Sequence, residues 1–162
     1  MIHVAKRHQP HSSIVADCLN LPYRSSSFDF VVSIAVVHHL STTARRVEAI
    51  RAILDVLKPT IKHVDAYCDN NSACSQALIY VWALEQKNSR RGWDEGDDQD
   101  VMVPWVMKQG GDIDGPRTFN RYYHLYRRGE LERDIEAAGG KVMESGYEKD
   151  NWWAVATRRS PH

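Results

Sequence analysis

An open α/β sheet, mostly parallel and finished by a C-terminal antiparallel hairpin, is the fold this 162-residue sequence predicts. Three observations carry that reading. Phe28 to Val37 (FDFVVSIAVV) is a nearly continuous apolar run rich in Val and Ile, as expected of a parallel strand buried on both faces. A helical segment follows, then a second apolar run, Gln76 to Leu84 (QALIYVWAL), which together make a β-α-β unit with parallel strands. Near the C-terminus, Lys141 to Glu148 and Asn151 to Thr157 are two strand-like segments turning near Lys149 to Asn151, which reads as a hairpin.

In chain order, residues 1–12 are polar, and Ser13 to Ala16 is a short apolar run read as a strand ending at Asp17. Pro22 to Ser27 is turn-like and leads into the 28–37 strand. Ala44 to Leu57 is amphipathic: Val47, Ile50, Ile53, Leu54 and Leu57 share one face, and Arg45, Arg46, Glu48, Arg51 and Asp55 take the other. Ser41, Thr42 and Thr43 offer capping hydroxyls, and Lys58-Pro59 supplies a stop. Residues 60–75 contain no glycine and read as a loop insertion; His63, Cys68 and Cys74 within it match no zinc-ligand spacing. Residues 85–120 read as one long irregular loop holding the acidic stretch Asp94 to Asp100 and an apolar island at 101–106. Glu130 to Ala138 is a short helix closed by Gly139-Gly140. The whole chain, 1–162, reads as a single domain.

Composition removes several classes. Apolar residues make up 43% and charged residues 26%, ordinary globular values that exclude a disordered tail and a fibrous chain. No apolar run approaches the roughly 18 residues of a membrane span, and the first ten residues hold no apolar signal core. Three cysteines are no disulfide framework, so the expected compartment is reducing: cytoplasmic, and also nuclear. With 21 basic and 21 acidic residues, any case for nucleic acid must be local. Local basic pairs do recur, at Arg45-Arg46, Arg90-Arg91, Arg127-Arg128 and Arg158-Arg159, with Trp93, Trp105, Tyr122, Tyr123, Tyr126, Trp152 and Trp153 nearby.

Open parallel sheets bind ligands beyond the carboxyl ends of their strands. One such end is Ala16-Asp17-Cys18, where the acid either accepts hydrogen bonds from an adenine amino group or a ribose, or simply starts a turn. The other is Ser33 to Leu40 (SIAVVHHL), where a strand runs into two histidines and a capped helix. Either these histidines face a substrate, or one is buried and the other solvated.

At these residues a family becomes visible. The span AD-x-x-x-LP-Y at 16–23, FDFVVSIAVVHHLST at 28–42, a helix and KP at 58–59 resemble the second half of class I S-adenosylmethionine-dependent methyltransferases. The chain more closely resembles the eukaryotic tRNA methyltransferases that esterify carboxymethyluridine at the wobble position. The stretches that carry this are 33–50, 77–86, RRGWDEGDDQDVMVPWV at 90–106, RYYHLYRRGELE at 121–132 and GYEKDNWWAVATRR at 146–159. The resemblance implies a Rossmann-like sheet with a reversed final hairpin, S-adenosylmethionine as methyl donor and a tRNA anticodon loop as substrate. It places Asp17 and Cys18 at the adenine, Ile34, Ala35 and Val36 on the cofactor floor, and His38, His39, Arg45 and Arg46 on the substrate side. It also implies a small zinc-containing activator subunit, covering an apolar face near the strand that ends at Asp17.

The chemistry follows from the acceptor. A carboxylate, with an ordinary pKa near 4, is already ionised at neutral pH and needs no general base. The enzyme's work is positioning. Arginine's planar fork holds a carboxylate through two parallel bonds, so Arg45 or Arg46, with His38 or His39, is assigned to orientation; the other reading of the arginine pair is a solvated helix face. Two departures from the family stand out. No glycine-rich cofactor loop is present, so the chain is expected to be N-terminally incomplete, to begin around the family's third strand, and to leave an apolar edge beside the 28–37 strand. Residues 60–75 stand where the family has a glycine pair and a short turn. Two other readings stay open: a remnant that binds RNA or a partner without catalysis, and a methyltransferase with a small-molecule acceptor.

Overall fold

The structure is a computed structural model and describes residues 14–59, 75–87, 89, 91–107 and 117–159. Residues 1–13, most of the 60–75 segment with His63, Cys68 and Cys74, and Arg90 lie outside the described residues. The elements are β1 (Phe30–Ile34), a 3-10 turn (Val37–His39), α1 (Thr43–Asp55), β2 (Gln76–Trp82), β3 (Asp100–Met107), β4 (Arg117–His124), α2 (Glu130–Ala137), β5 (Gly140–Glu148) and β6 (Asn151–Arg158). Four strands form one sheet in the order β1-β2-β6-β5, and β3 and β4 pair separately as a two-stranded ribbon. β1 and β2 are parallel; β6 is antiparallel to both its neighbours. The sheet is therefore an open α/β sheet with the reversed final hairpin that the sequence predicts, with one parallel and two antiparallel pairings among its described strands. No helix among the described residues is long and apolar enough to cross a membrane.

One face of this sheet carries the core. Strand alternation turns Ala77, Ile79 and Val81 of β2 and Ala154 and Ala156 of β6 inward, against Ile50, Ile53 and Leu54 of α1 and Leu131 and Ile135 of α2. Three alanines there let both helices sit close to the sheet. Of the three capping hydroxyls the sequence offers at Ser41, Thr42 and Thr43, Thr42 caps α1, its hydroxyl accepting from the Arg45 N–H at 3.3 Å. The β5–β6 turn is two residues long, with Lys149 and Asp150 at φ of 45° and 65°. That mirror-image turn matches the twist of the flanking strands. It is held by the Asn151 amide, which donates to the Lys149 carbonyl at 2.7 Å, and by the Tyr147 hydroxyl, which donates to Asp150 at 3.1 Å.

Three expectations are corrected. The 28–37 run was expected to be buried on both faces, yet Phe30, Val32 and Ile34 are 54%, 50% and 58% exposed. β1 is the outer strand, and no strand among the described residues pairs with its free edge. The strand also stops early, because Ala35 takes a left-handed conformation (φ 58°) and hands the chain to the 3-10 turn. Of the strand expected over Ser13 to Ala16, Ser13 lies outside the described residues and residues 14–16 form no strand: Ile14 and Val15 are exposed, and Asp17 opens a turn, accepting from Asn20 N–H on its carbonyl and from Leu19 N–H on Oδ1. The irregular loop expected over 85–120 holds β3 and the start of β4. Pro104 inside an apolar run argues against a central strand, and it is tolerated here because, among the described residues, β3 pairs only with β4.

Candidate active site

β1 and β2 are parallel, so their carboxyl ends share one rim: Ala35 to Leu40 after β1, and Ala83 to Glu85 after β2. The ribbon is seated on this rim. Tyr126, just beyond β4, donates its N–H to the Trp82 carbonyl at 2.9 Å and accepts from Leu84 N–H at 2.8 Å. The Tyr123 ring stacks on Trp82 with centroids 4.3 Å apart, and Val103, Leu84 and Leu125 close a small second core beneath it.

The two histidines part company here. His38 is fully buried, with Nδ1 accepting from the Trp82 backbone N–H at 3.0 Å. The proton of the neutral ring is then on Nε2, which has no hydrogen-bond partner. Burial, helped by the neighbouring His39 and His124, pushes the His38 pKa down to about 3. His38 is thus a neutral scaffold residue near pH 7, and the substrate-facing role expected of it is not what the fold provides. His39 is exposed on the rim, its ring edge-on to Tyr123 at 4.4 Å. Its Nδ1 lies 2.9 Å from the Tyr122 carbonyl, which can only accept, so Nδ1 carries the proton and Nε2 is turned to other partners.

The arginines part in the same way. Arg45 is exposed in the first turn of α1, beside the rim. Arg46 is only 3% exposed. Its guanidinium bonds Glu130 at 3.3 Å, Asp134 at 3.4 Å and the Thr43 hydroxyl at 3.0 Å, and lies 5.5 Å from the Tyr126 ring centre. A guanidinium committed to two carboxylates inside the fold cannot clamp a third on a substrate, so the substrate-side role expected for Arg46 is corrected to a structural one.

That network extends into the ribbon. His124 is buried between two carboxylates, Nδ1 at 2.8 Å from Asp100 and Nε2 at 2.7 Å from Glu130. Both oxygens only accept, so the ring here is an imidazolium. Burial works against that charge, but the bonds to Glu130 and Asp100 outweigh it and raise the pKa. Burial likewise pushes Glu130 upward, and the bonds from His124 and Arg127 N–H overcome it and hold the carboxyl at about 2. Asp134 is raised, because its burial exceeds the pull of Arg46. Tyr122, half-buried and donating to Asp100, is pushed up to about 12. Sequence reasoning missed Asp100, His124, Glu130 and Asp134. All but Asp134 lie in stretches that carry the resemblance, but which of them meet is not written in any local spacing.

On the cofactor side, Ile34, Ala35 and Val36 are exposed at the end of β1. Val36 and Cys18 line one groove of about 370 Å³ along the free edge of β1, with Leu21, Phe28, Val32 and Ile53. Asp17 is exposed at the start of its turn, outside that lining. Its Oδ2 is not engaged by the Leu19 N–H that holds Oδ1. Of the aromatics read as RNA contacts, Tyr126 is fully buried in the core and Tyr123 nearly so, while Trp152 packs on the core and donates to Glu85 at 2.9 Å. Arg158 pairs with Asp55 at 3.6 Å rather than reaching the rim.

The fold and the rim define a class I S-adenosylmethionine-dependent methyltransferase domain. Solved methyltransferases superpose on nearly the whole chain: CcbJ of Streptomyces caelestis at a TM-score of 0.66 and 12% identity, covering 97% of this chain and 73% of that one, and S-adenosylmethionine-bound CalS10, an amino pentose methyltransferase of Micromonospora echinaspora, at 0.59 and 18%, covering 98% and 70%. A model of the methyltransferase domain family matches residues 1–62. Among relatives, the tRNA (carboxymethyluridine(34)-5-O)-methyltransferase of Schizosaccharomyces pombe is 42% identical over 158 residues, covering 90% of this chain and 63% of its own length. The Saccharomyces cerevisiae protein of the same name is 37% identical over 208 residues, covering 92% and 69%. The chain belongs to this tRNA carboxymethyluridine methyltransferase family, and spans about two thirds of the length of these two relatives.

Proposed function

We propose that this chain acts in transfer of a methyl group from S-adenosylmethionine to the carboxymethyl group of wobble uridine in tRNA. The observation that carries the proposal is the rim itself: exposed His39, in the 3-10 turn after β1, and exposed Arg45, in the first turn of the helix that follows, in a chain of this family, with an apolar cofactor-sized groove along the same strand. The cofactor supplies an electrophilic methyl on a cationic sulfur. The groove fits the flat apolar face of an adenine, with Cys18 and Val36 in its wall, Ile34 and Ala35 beside it, and the free oxygen of Asp17 available to a ribose or amino donor. Arg45 pairs the acceptor carboxylate through its fork, and His39 presents Nε2 to the base or, when protonated, to the carboxylate. With donor and acceptor both bound, an acceptor carboxylate oxygen would form the bond to the methyl carbon as the carbon–sulfur bond broke, and no residue here would need to move a proton. His38 and Arg46 act at one remove, by fixing the rim and the ribbon.

Two further assignments belong to this reading. A small zinc-containing activator subunit covers the apolar surface near Asp17, for which the exposure of Ile14 and Val15 is the support. The chain works in the cytoplasm, and also in the nucleus, where tRNA is available and Cys18 stays a free thiol. The deciding experiment is a methyl-transfer assay on tRNA bearing carboxymethyluridine, beside unmodified transcript and small carboxylates, with S-adenosylmethionine affinity measured by calorimetry. Transfer confined to the modified tRNA is expected. Arg45→Ala should raise the tRNA KM about tenfold, the loss of one charge-assisted contact, with cofactor affinity unchanged. Well-folded protein that binds no cofactor, or that methylates small carboxylates equally well, refutes the assignment.

A further inference from the structure

The ribbon has a face that the rim chemistry leaves unused. Directly paired residues share a face, and the register sets Val101 opposite Tyr123, Val103 opposite Arg121 and Trp105 opposite Phe119. At its base this face is interior: Val103 and Tyr123 are buried, and the Tyr123 ring touches His39. Further out the same face emerges into solvent, with Trp105 40% and Phe119 46% exposed. The Arg121 guanidinium lies 4.1 Å from the centre of the Trp105 ring, and the Trp105 and Phe119 rings are 6.2 Å apart. Two aromatic planes and a cation are thus held together on one face of the two-stranded ribbon whose buried part lies at the candidate active site.

We propose that Trp105, Phe119 and Arg121 form a stacking platform for an unpaired base of the RNA substrate, next to the nucleotide whose side group sits at the rim. The inference rests on the tRNA reading above and adds to it the residues that receive a flanking base. Three features of the ribbon favour this occupant. Stacking needs flat π surface open to solvent, which Trp105 and Phe119 offer. Arg121 places a positive charge at that surface, matching a phosphate backbone, in a chain whose total charge is zero. Strand geometry sets the distance: Arg121 and Phe119 lie two and four residues from Tyr123, about 7 and 14 Å along the strand, so the platform borders the rim. A paired base cannot use such a surface, because both its faces are already stacked; an unpaired base in a loop can.

The test is fluorescence anisotropy with a labelled anticodon stem-loop RNA and, in parallel, a fully paired RNA duplex of the same length. The unaltered chain should prefer the stem-loop. Trp105→Ala should weaken stem-loop binding about tenfold, within the range seen when one stacked base loses its partner, and leave duplex binding unchanged; Arg121→Gln should weaken stem-loop binding by more than it weakens duplex binding. Trp105→Phe, which keeps a flat ring, should retain most of the affinity. Thermal melting confirms folding, and Arg121→Gln, which alters no buried group, keeps the test decisive if Trp105→Ala melts early. A chain that prefers the stem-loop while all three variants bind as the unaltered chain does overturns the platform alone. A chain with no preference for the stem-loop overturns the tRNA reading and the platform with it. Unchanged RNA affinity with an altered self-association would reassign the face to a protein contact and so also overturn the proposal.

Discussion

Arg46→Ala separates a substrate-side arginine from a structural one. The substitution removes the cation from a buried site and leaves Asp134 and Glu130 behind. The two are not equally stranded. Glu130 keeps His124, Gln99 and the Arg127 N–H, whereas Asp134 keeps only the Tyr126 hydroxyl at 3.1 Å. Removing one partner of a buried ion pair costs about 3–5 kcal/mol, and with Glu130 still served the lower end, about 3 kcal/mol, is expected. For a chain of this size each kcal/mol moves Tm by about 2–4 °C, so the variant should melt about 6–12 °C lower. The deficit should shrink on acidification. Asp134 already has a raised pKa, and loss of Arg46 raises it further. A carboxyl whose folded pKa lies above its unfolded one contributes stability that is complete below the unfolded value and lost as pH rises through the folded one, so the variant gains on the parent as pH falls from neutral towards the ordinary carboxyl value of 3.8. Urea unfolding at neutral and at acidic pH, followed by tryptophan fluorescence, measures this. A variant that melts within 2 °C or so of the parent and instead loses tRNA affinity alone would refute the structural role and return Arg46 to the acceptor.

Other outcomes follow from the same geometry. His124, its burial outweighed by Glu130 and Asp100, has a raised pKa, so its contribution is full below 6.5 and is lost as pH rises through the folded value; His124→Asn should flatten the fall in urea midpoint that the parent shows on the alkaline side. His38, held down to about 3 chiefly by burial, contributes in the opposite sense: its stability is present above 6.5 and lost as pH falls towards 3. Proton NMR should accordingly find one imidazole that stays neutral from pH 8 to about 5, and a His38 signal titrating near 6.5 would contradict its burial. Gly140→Ala should cost about 1–3 kcal/mol by thermal melting, because a Cβ there would stand 2.8 Å from the Ile135 side chain and 3.0 Å from its backbone oxygen. An unchanged Tm would show that α2 moves away from β5 freely.

Much of the fold was legible before any coordinates. The 28–37 and 76–84 runs, the Thr42 cap and the 149–151 turn are local signals, and each reappears within a few residues of where the sequence puts it. The ribbon was illegible because its evidence conflicts: Val101 and Val103 alternate correctly, but Pro104 and the acidic run before them read as loop. At the candidate site, the sequence singled out Ser33 to Leu40 and the Arg45-Arg46 pair but could not sort which members the fold buries. His38 and His39 are adjacent and identical in type, as are Arg45 and Arg46.

What the sequence determined by itself is what periodicity and capping set, the β-α-β unit, its parallel strands and the terminal hairpin, and, through the resemblance of particular stretches, the family. Only the tertiary structure decided which of each adjacent pair faces solvent. A helix turns about 100° per residue, so neighbours on α1 point to different faces, and which face is interior depends on what arrives there. What arrives at Arg46 is Asp134, 88 residues further along the chain, and at His38 it is the Trp82 backbone, 44 residues away. Those contacts are made by the closing of the whole fold, and no spacing within the segment records them.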